Sequence, residues 1–365
     1  MVSPVAVSVV VPAYNVEPYL GQCLDSLTAQ KCRSFEIVVV DDGSSDGTDK
    51  VADAYAARDG RVRVLHLPHA GAAVARNAGL DAATGEYVLF CDGDDWCRKD
   101  MLAKMLSAAK RHDCDVVIAG MVRHVRSGRP PLTVYPSAQL QNKGRPFAGR
   151  EFADLLFSAG GANPVNKLWR VSFIRRHGIR FQDLAHVNDL FFVYVALAKA
   201  ERIVVLDDAF YNYRMHRPDS IQNSIRDRLK PNPHPLCWIE AFRAVKVRLA
   251  EEGELETFAF GLLRALLVTG VRAMAKLAWP DDIEAYYGEL RREWTDLSGR
   301  IDAERLKSLD EERAAYAAVL SGSGVASPLL SQMVRCTQTR LALARAGGRL
   351  RRIVACLRRM GRWFA

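Results

Sequence analysis

The sequence predicts an α/β fold: a mostly parallel sheet flanked by helices, followed by an α-helical C-terminal region. Three observations predict it. Short β-branched apolar runs alternate with segments of helical apolar spacing as far as Ala119. Those runs end in Pro, Asp and Gly, the residues of strand-end turns. From Leu236 the strand signal stops and the pattern becomes helical.

The elements follow in order. Val5–Val11 is a β-branched run ended by Pro12 and reads as a buried strand. In Glu17–Ala29, Leu20, Cys23, Leu24 and Leu27 recur at helical spacing. Phe35–Val40 is a second strand, closed by Asp41-Asp42-Gly43. Thr48–Ala57 reads as a helix, Val62–Leu67 as a strand, and Gly71–Ala83 as a helix after a Gly turn. Tyr87–Cys91 is a fourth strand, closed by Asp92-Gly93-Asp94-Asp95. Lys99–Arg111 is a helix and Val116–Ala119 a fifth strand. Alternation at this spacing means βαβ units. Gly128–Pro146 is a polar excursion, and Glu151–Phe157 and Val171–His177 are short helices. Asp189–Ala200 is a strong helix and Ile203–Leu206 a strand. Pro231-Asn232-Pro233-His234-Pro235 is a break, helices run on to about Leu320, and Ser321–Pro328 is a Gly/Ser linker. The expected division is a catalytic domain over 1–225, a helical region over 226–320, and a linker with a basic tail over 321–365.

Composition narrows the class. Of 365 residues 49% are hydrophobic, enough for a large core, and 25% are charged, as in water-soluble domains. No apolar stretch is long enough for a transmembrane helix, and no signal peptide is legible, so the expected location is cytoplasmic. The eight cysteines form no C-x-x-C pair, which favours a reduced compartment over zinc or a disulfide framework. The net charge of +9 sits in the tail: Ser321–Ala365 holds nine arginines and no acid. Removing nine from the 51 Lys and Arg leaves 42, equal to the 42 Asp and Glu. A neutral folded body argues against nucleic-acid binding. In the tail Leu350, Ile353, Val354, Leu357, Met360 and Phe364 share a helical face, interleaved with Arg351, Arg352, Arg358, Arg359 and Arg362. That composition suits an anionic membrane surface; the alternatives are a helix packed on the protein and a disordered basic end.

The polar clusters Pro12-Ala13-Tyr14-Asn15, Asp41-Asp42-Gly43-Ser44 and Asp92-Gly93-Asp94-Asp95 all follow strands. Each alone is ordinary turn chemistry. Together they sit at the carboxyl ends of a parallel sheet, where ligands bind. Asp92 and Asp94, at i and i+2, can converge on Mg²⁺ or Mn²⁺, whose shell substrate phosphates complete.

At this point the sequence resembles the family 2 glycosyltransferases of the GT-A fold. The resemblance rests on VSVVVPAYNVEPYL, FEIVVVDDGSSDGT, GAAVARNAGLDAATGEYVLFCDGDDW, NKLWR, HVNDLFF and YNYRMHRPDSI, in order, from about Val5 to Ser220. It implies an inverting enzyme that moves a sugar from a nucleotide diphosphate, with UDP as the default, to a hydroxyl of a cell-surface glycan, polymer or lipid-linked precursor. Pro12 and Tyr14 then belong to the base pocket, and Asp42 accepts from a uracil-like ring nitrogen. Arg76 and Asn77 meet the nucleotide at a helix start, Asp92 holds the ribose or the metal, and Asp94 is the main metal ligand. Asp189 aligns with the catalytic base; it equally reads as a helix N-cap. Asn188 departs from the family's usual Glu, and an amide accepts no proton at neutral pH. Asn166, Lys167 and Trp169 match the acceptor-cleft segment, where Trp169 either stacks on a sugar or closes the core. Tyr213, Arg214 and His216 match a closing loop, and His216 stays outside the metal set.

Two other classes compete. A nucleotidylyltransferase would carry a Gly-rich basic loop after the first strand, where this chain has Pro12-Ala13-Tyr14-Asn15. A non-catalytic nucleotide-sugar-binding or assembly module draws support from Asn188 but has no need of Asp189.

Overall fold

The computed structural model describes residues 5–125, 130–136, 140, 145–215, 234–270, 273, 277 and 280–309. The chain divides into two compact units, Met1–Arg217 with Ala241–Gly261, and Pro218–Glu240 with Leu262–Ala365.

The first unit contains a nine-stranded sheet among its described residues. Strand β1 (Val7–Ala13) pairs in parallel with β2 (Phe35–Asp41) on one side, and β3 (Val62–His66) continues the parallel set beyond β2. On its other side β1 pairs in parallel with β4 (Tyr87–Phe90). Val9, Val10, Val11, Ile37, Val38 and Val39 are fully covered. Strands buried on both faces are continuous apolar runs rather than alternating ones, which explains their runs of valine. Helices α1 (Glu17–Thr28), α2 (Thr48–Arg58) and α3 (Ala72–Ala82) make the crossovers. Helix α1 buries Leu20, Cys23, Leu24 and Leu27, the stripe legible in the sequence.

Past β4 the sheet is mixed. The next elements are β5 (Trp96–Cys97), α4 (Met101–Arg111), β6 (Val116–His124), β7 (Leu132–Val134), α5 (Leu156–Gly160), β8 (Lys167–Arg170), α6 (Val171–Arg176), α7 (Leu190–Lys199) and β9 (Ile203–Arg214). The strand order is β3-β2-β1-β4-β8-β6-β9-β5, with β7 on β6. Strand β8 runs antiparallel to both β4 and β6, while β9 is parallel to β6. The antiparallel members β5, β7 and β8 have two, three and four residues, too few to show a period in the sequence. Strand β9 runs beyond the expected Leu206 to Arg214, because β6 also continues to His124 and supplies partners. The helix expected over Glu151–Phe157 is instead a 3₁₀ turn at Gly149–Phe152 followed by α5. There the Glu151 carboxylate folds back to accept the Ala148 N–H at 2.7 Å.

One glycine sets how near α3 comes to the sheet. A Cβ on Gly79 would stand 2.3 Å from Val10 Cγ1 and 3.2 Å from Val40 Cγ2, so α3 lies directly on β1 and β2 only because position 79 has no side chain. That close approach brings Arg76, on the same helix, to the functional edge.

Helices α8 (Cys237–Glu251) and α9 (Leu255–Ala265) supply Ala241–Gly261 to the first unit. The second unit includes the π turn Leu266–Gly270, α10 (Pro280–Ser298) and α11 (Ala303–Lys307). Gly270 accommodates the ring of Trp238 and Leu290 there. The expected linker and basic tail, like His216 and the Pro-rich break before His234, lie outside the described residues. Among the described residues no helix is long and apolar enough to cross a membrane.

Candidate active site

The strand-end clusters meet at one edge. Ala13 pairs with Asp41 in register, the Asp42 N–H donates to Ala13 O at 2.9 Å, and the Gly93 N–H donates to Pro12 O at 3.3 Å. Side chains then tie the loops together. Asn15 Oδ1 accepts the Ser45 N–H at 2.8 Å, and Thr48 Oγ1 accepts the Val16 N–H at 2.8 Å. Asn15 itself takes a left-handed φ of 49°, which asparagine tolerates.

At one end of this edge Tyr14 and Asp42 share a residue that the sequence reading missed. The Tyr14 ring stacks on His69, centroids 4.0 Å apart at 16°. His69 Nδ1 lies 2.9 Å from Asp42 Oδ2. The buried Asp42 carboxylate also accepts the Ala70 N–H at 2.8 Å and the Gly71 N–H at 2.9 Å. The two N–H groups use two of roughly four acceptor sites on the carboxylate, while His69 Nδ1 is also 3.1 Å from the Asp42 backbone O. Gly43, at φ 68°, makes the turn: a Cβ there would stand 2.6 Å from the His69 N. Flanked by Pro68 and Ala70-Gly71, His69 reads in sequence as a plain turn residue. Tyr14 is 40% exposed, so a flat aromatic surface is open to a ligand beside a partly unsatisfied carboxylate. Pro12 is half-buried next to it.

The acidic turn is held from β9. Tyr211 Oη donates to Asp95 Oδ2 at 2.6 Å and accepts the Asp92 N–H at 3.1 Å. The Arg214 N–H donates to Asp95 Oδ1 at 2.7 Å, and Arg214 Nε donates to Asp94 O at 2.8 Å. Burial, then Asp94 and Asp92, push the Asp95 carboxyl well above the usual range. Asp95 is thus a brace, buried under the turn, while Asp92 and Asp94 keep part of their surface open.

Arg76 joins this turn to the segment before α7. Its Nη2 donates to Asp92 Oδ1 at 2.7 Å and its Nη1 to Asn188 Oδ1 at 3.0 Å. It does not open its helix, as the sequence reading had it: it is the fifth residue of α3, and it acts through its side chain rather than beside the first-turn N–H groups. Nor is it a solvated charge, since its side chain is 11% exposed. Asn77 differs from expectation too. Its Nδ2 donates to Phe181 O at 2.9 Å and its Oδ1 accepts the Phe181 N–H at 3.0 Å, so both ends of its amide hold the 181 loop. Phe181 then stacks on Phe192 of α7, centroids 4.2 Å apart.

Asp189 stands at the N-cap of α7, yet its side chain makes no capping hydrogen bond. Burial raises its carboxyl above the usual value, against the pull of Arg76 and Lys167. Val187, just before, has a φ of 59°, a strained backbone for a β-branched residue. Strain of this kind persists where surrounding structure demands it, here in the turn that presents Asn188 and Asp189.

The acceptor segment is less open than expected. Lys167 and Trp169 are both fully covered. Trp169 packs edge-on against Phe192, centroids 5.2 Å apart, so of its two readings the structure supports core closure. Lys167 Nζ donates to Asn163 O at 2.7 Å and to Asn166 Oδ1 at 2.9 Å, and Asn166 Nδ2 donates to Ala119 O at 2.6 Å. Burial pushes the Lys167 ammonium down to about 7.

Among the described residues no group of three or more His, Cys, Asp or Glu is arranged to hold a metal ion. Asp92 and Asp94 still fit a hard cation that takes one or two carboxylates and completes its shell with phosphate oxygens and water. The negative charge that raises Asp95 is charge such a cation would offset.

A βαβ sheet whose strand ends gather an aromatic shelf, a paired-aspartate turn and a half-buried carboxylate is the GT-A arrangement, and comparison with known proteins agrees. The profile of Glycosyl transferase family 2 matches residues 8–171. The glycosyltransferase GlyG of Streptococcus pneumoniae is 31% identical over 218 residues, 57% of this chain and 70% of GlyG. EpsJ of Bacillus subtilis, an uncharacterized glycosyltransferase, is 34% identical over 220 residues, 59% of this chain and 62% of EpsJ. The chain therefore spans less than two thirds of EpsJ. The crystal structure of Staphylococcus aureus TarS 1–349 in complex with UDP-GlcNAc superposes with a TM-score of 0.66 at 22% identity, covering 95% of this chain and 93% of that one. The chain belongs to glycosyltransferase family 2 and has the GT-A fold, a mixed sheet flanked by helices with a helical C-terminal region.

Proposed function

We propose that this chain is an inverting glycosyltransferase that moves a sugar from a nucleotide diphosphate, UDP by default, to a hydroxyl of a cell-surface glycan, polymer or lipid-linked precursor. The observation that carries the reading is the Arg76 fork: one guanidinium, only 11% exposed, ties Asp92, on the donor edge, to Asn188, the neighbour of Asp189. The TarS complex with UDP-GlcNAc supports the choice of donor class.

In this reading the base stacks on the Tyr14–His69 pair beside Pro12, and its ring N–H donates to an open acceptor site of Asp42. Asp92 holds the ribose or helps bind the metal. Asp189 takes the proton of the acceptor hydroxyl while that oxygen attacks the anomeric carbon. The bond from that carbon to the diphosphate breaks, the nucleoside diphosphate leaves, and the configuration inverts. The raised pKa of Asp189 makes it a stronger base than an exposed aspartate, and the neighbouring Arg76 favours its ionised form. Mg²⁺ or Mn²⁺, held by Asp92 and Asp94, would neutralise charge on the departing diphosphate.

We assign this chemistry to residues 1–225, with 226–320 as a helical region and 321–365 as a basic tail that meets anionic lipid at the inner face of the cell membrane. The nine arginines and absence of acids in 321–365 support the tail's role. The test is a panel of nucleotide sugars with Mg²⁺ or Mn²⁺ and glycan or lipid-linked acceptors, read by release of nucleoside diphosphate. Transfer from one donor is expected; no acceptor-dependent release from any donor refutes the assignment.

A further inference from the structure

The Arg76 side chain is 11% exposed, and its two hydrogen-bonded side-chain partners differ in charge: Asp92 is a carboxylate and Asn188 a neutral amide. Asn188 is itself 8% exposed, and its Nδ2 faces Leu184 O at 3.5 Å. Were position 188 a carboxylate, the guanidinium would be matched by two adjacent anions, and the next residue, Asp189, would sit beside one of them. The charged groups that act on Asp189 are Arg76 of α3, Asp92 after β4, and Lys167 of β8. The placement of Lys167 follows from packing. Lys167 and Trp169 share one face of β8, Trp169 packs on Phe192, and Asp189 lies one helical turn before Phe192. Lys167 also has neutral hydrogen-bond partners, Asn163 O and Asn166 Oδ1. Lys167 is thus anchored by amide oxygens, and Arg76 by one amide beside one carboxylate.

We propose that Asn188 is a positioning residue for the transfer reaction: its amide holds the Arg76 fork in place without neutralising it, so that the same guanidinium serves Asp92 and leaves charge for Asp189. This inference rests on the reading of Asp189 as the base. A carbonyl oxygen directs one guanidinium N–H as well as a carboxylate oxygen does, but it adds no negative charge next to a group that must stay ionised. Asn188 therefore separates two functions that a carboxylate would combine, orientation of Arg76 and cancellation of its charge.

Asn188→Asp tests this with almost no change of size. It keeps an oxygen for Arg76 Nη1, so a purely structural role predicts the wild-type pH profile. The inference predicts that the acidic limb of kcat/KM moves to higher pH by about one unit, because a like charge beside Asp189 disfavours its ionised form. The alkaline plateau should stay within about threefold of wild type. Asn188→Leu removes the oxygen without adding charge, and should lower plateau kcat by about tenfold or more while leaving the limb where it is. If Asn188→Asp melts too low to assay, Arg76→Lys replaces it: a single ammonium cannot fork to both partners, and the limb should again rise. An unmoved limb in Asn188→Asp, or in Arg76→Lys when that variant stands in, overturns the inference, and so does an equal upward shift in Asn188→Leu. Asp189→Asn separates the two levels. If it keeps the wild-type rate and limb, the base reading fails and this inference with it. If it is slow while Asn188→Asp keeps the wild-type limb, this inference alone fails.

Discussion

Lys167→Met removes a cation from the interior, and its effect on stability has a sign that depends on pH. Lys167 is fully covered and gives up its proton near 7 in the fold. Unfolded, a lysine holds it to about 10.4. Between those values the unfolded chain binds more protons, so this group makes folding more favourable as pH rises, and the gain is lost as pH falls through 7. The full gap corresponds to roughly 4–5 kcal/mol, of which about 2 kcal/mol falls between pH 7 and 9. Methionine matches the volume and needs no solvation, but it leaves Asn163 O and Asn166 Oδ1 without their donor, at ~1–3 kcal/mol each. Near pH 7 that loss and the relief of a buried charge largely offset each other. The buried thiols Cys23, Cys97 and Cys114, pushed up in the fold, oppose the trend but are common to both proteins. The quantity to measure is therefore the difference in unfolding free energy, wild type minus variant, by urea titration at pH 7, 8 and 9. It should grow by about 2 kcal/mol. A difference flat to within about 0.5 kcal/mol would show that Lys167 is not a suppressed buried ammonium.

Three further outcomes are expected. Asp189→Asn should melt near the wild-type temperature, since its side chain makes no capping bond, and should transfer at least ~100-fold more slowly; kcat within about threefold would exclude it as the base. Excess EDTA should abolish transfer and added Mg²⁺ or Mn²⁺ restore it, whereas full turnover in EDTA would remove Asp92 and Asp94 from metal binding. Deleting residues 321–365 takes away nine arginines and no acid, so turnover of a soluble acceptor should persist while sedimentation with anionic vesicles is lost; unchanged sedimentation would refute the membrane role of the tail.

The parallel half of the sheet was legible because buried parallel strands announce themselves as valine runs ending in Pro or Asp. The antiparallel half was not. Lys167–Arg170 is a four-residue strand whose place between β4 and β6 is set by long-range pairing that no local pattern encodes. Where the candidate site residues lie was legible to a similar depth. Pro12, Tyr14, Asp42, Asp92 and Asp94 do gather at one edge, because each follows a strand of the same sheet. Roles that depend on contacts between distant segments were out of reach. Asn77 serves Phe181, 104 residues away, and Arg76 reaches Asn188 at a separation of 112.

That distance has a mechanistic consequence. Asp92 and Asp94 sit on the strand-end turn that β9 braces, while Asp189 belongs to the N-terminus of α7, a separate element. Two ties from α3 hold these elements together, besides the packing of Trp169 on Phe192. Phe181, gripped by Asn77 of α3, stacks on Phe192 of α7 and so fixes the first turn of that helix. Arg76, one residue before Asn77 on α3, reaches from Asp92 to Asn188. Both ties leave the same turn of α3, and α3 is seated on β1 and β2 through Gly79. A Gly79→Ala substitution, far smaller than any change to a charged residue, would lift that turn away from Val10 and loosen both ties together. Proximity between nucleophile activation and the leaving group depends on sub-ångström placement. Gly79, three residues after Arg76, therefore bears on the placement of both ties, although it makes neither of them.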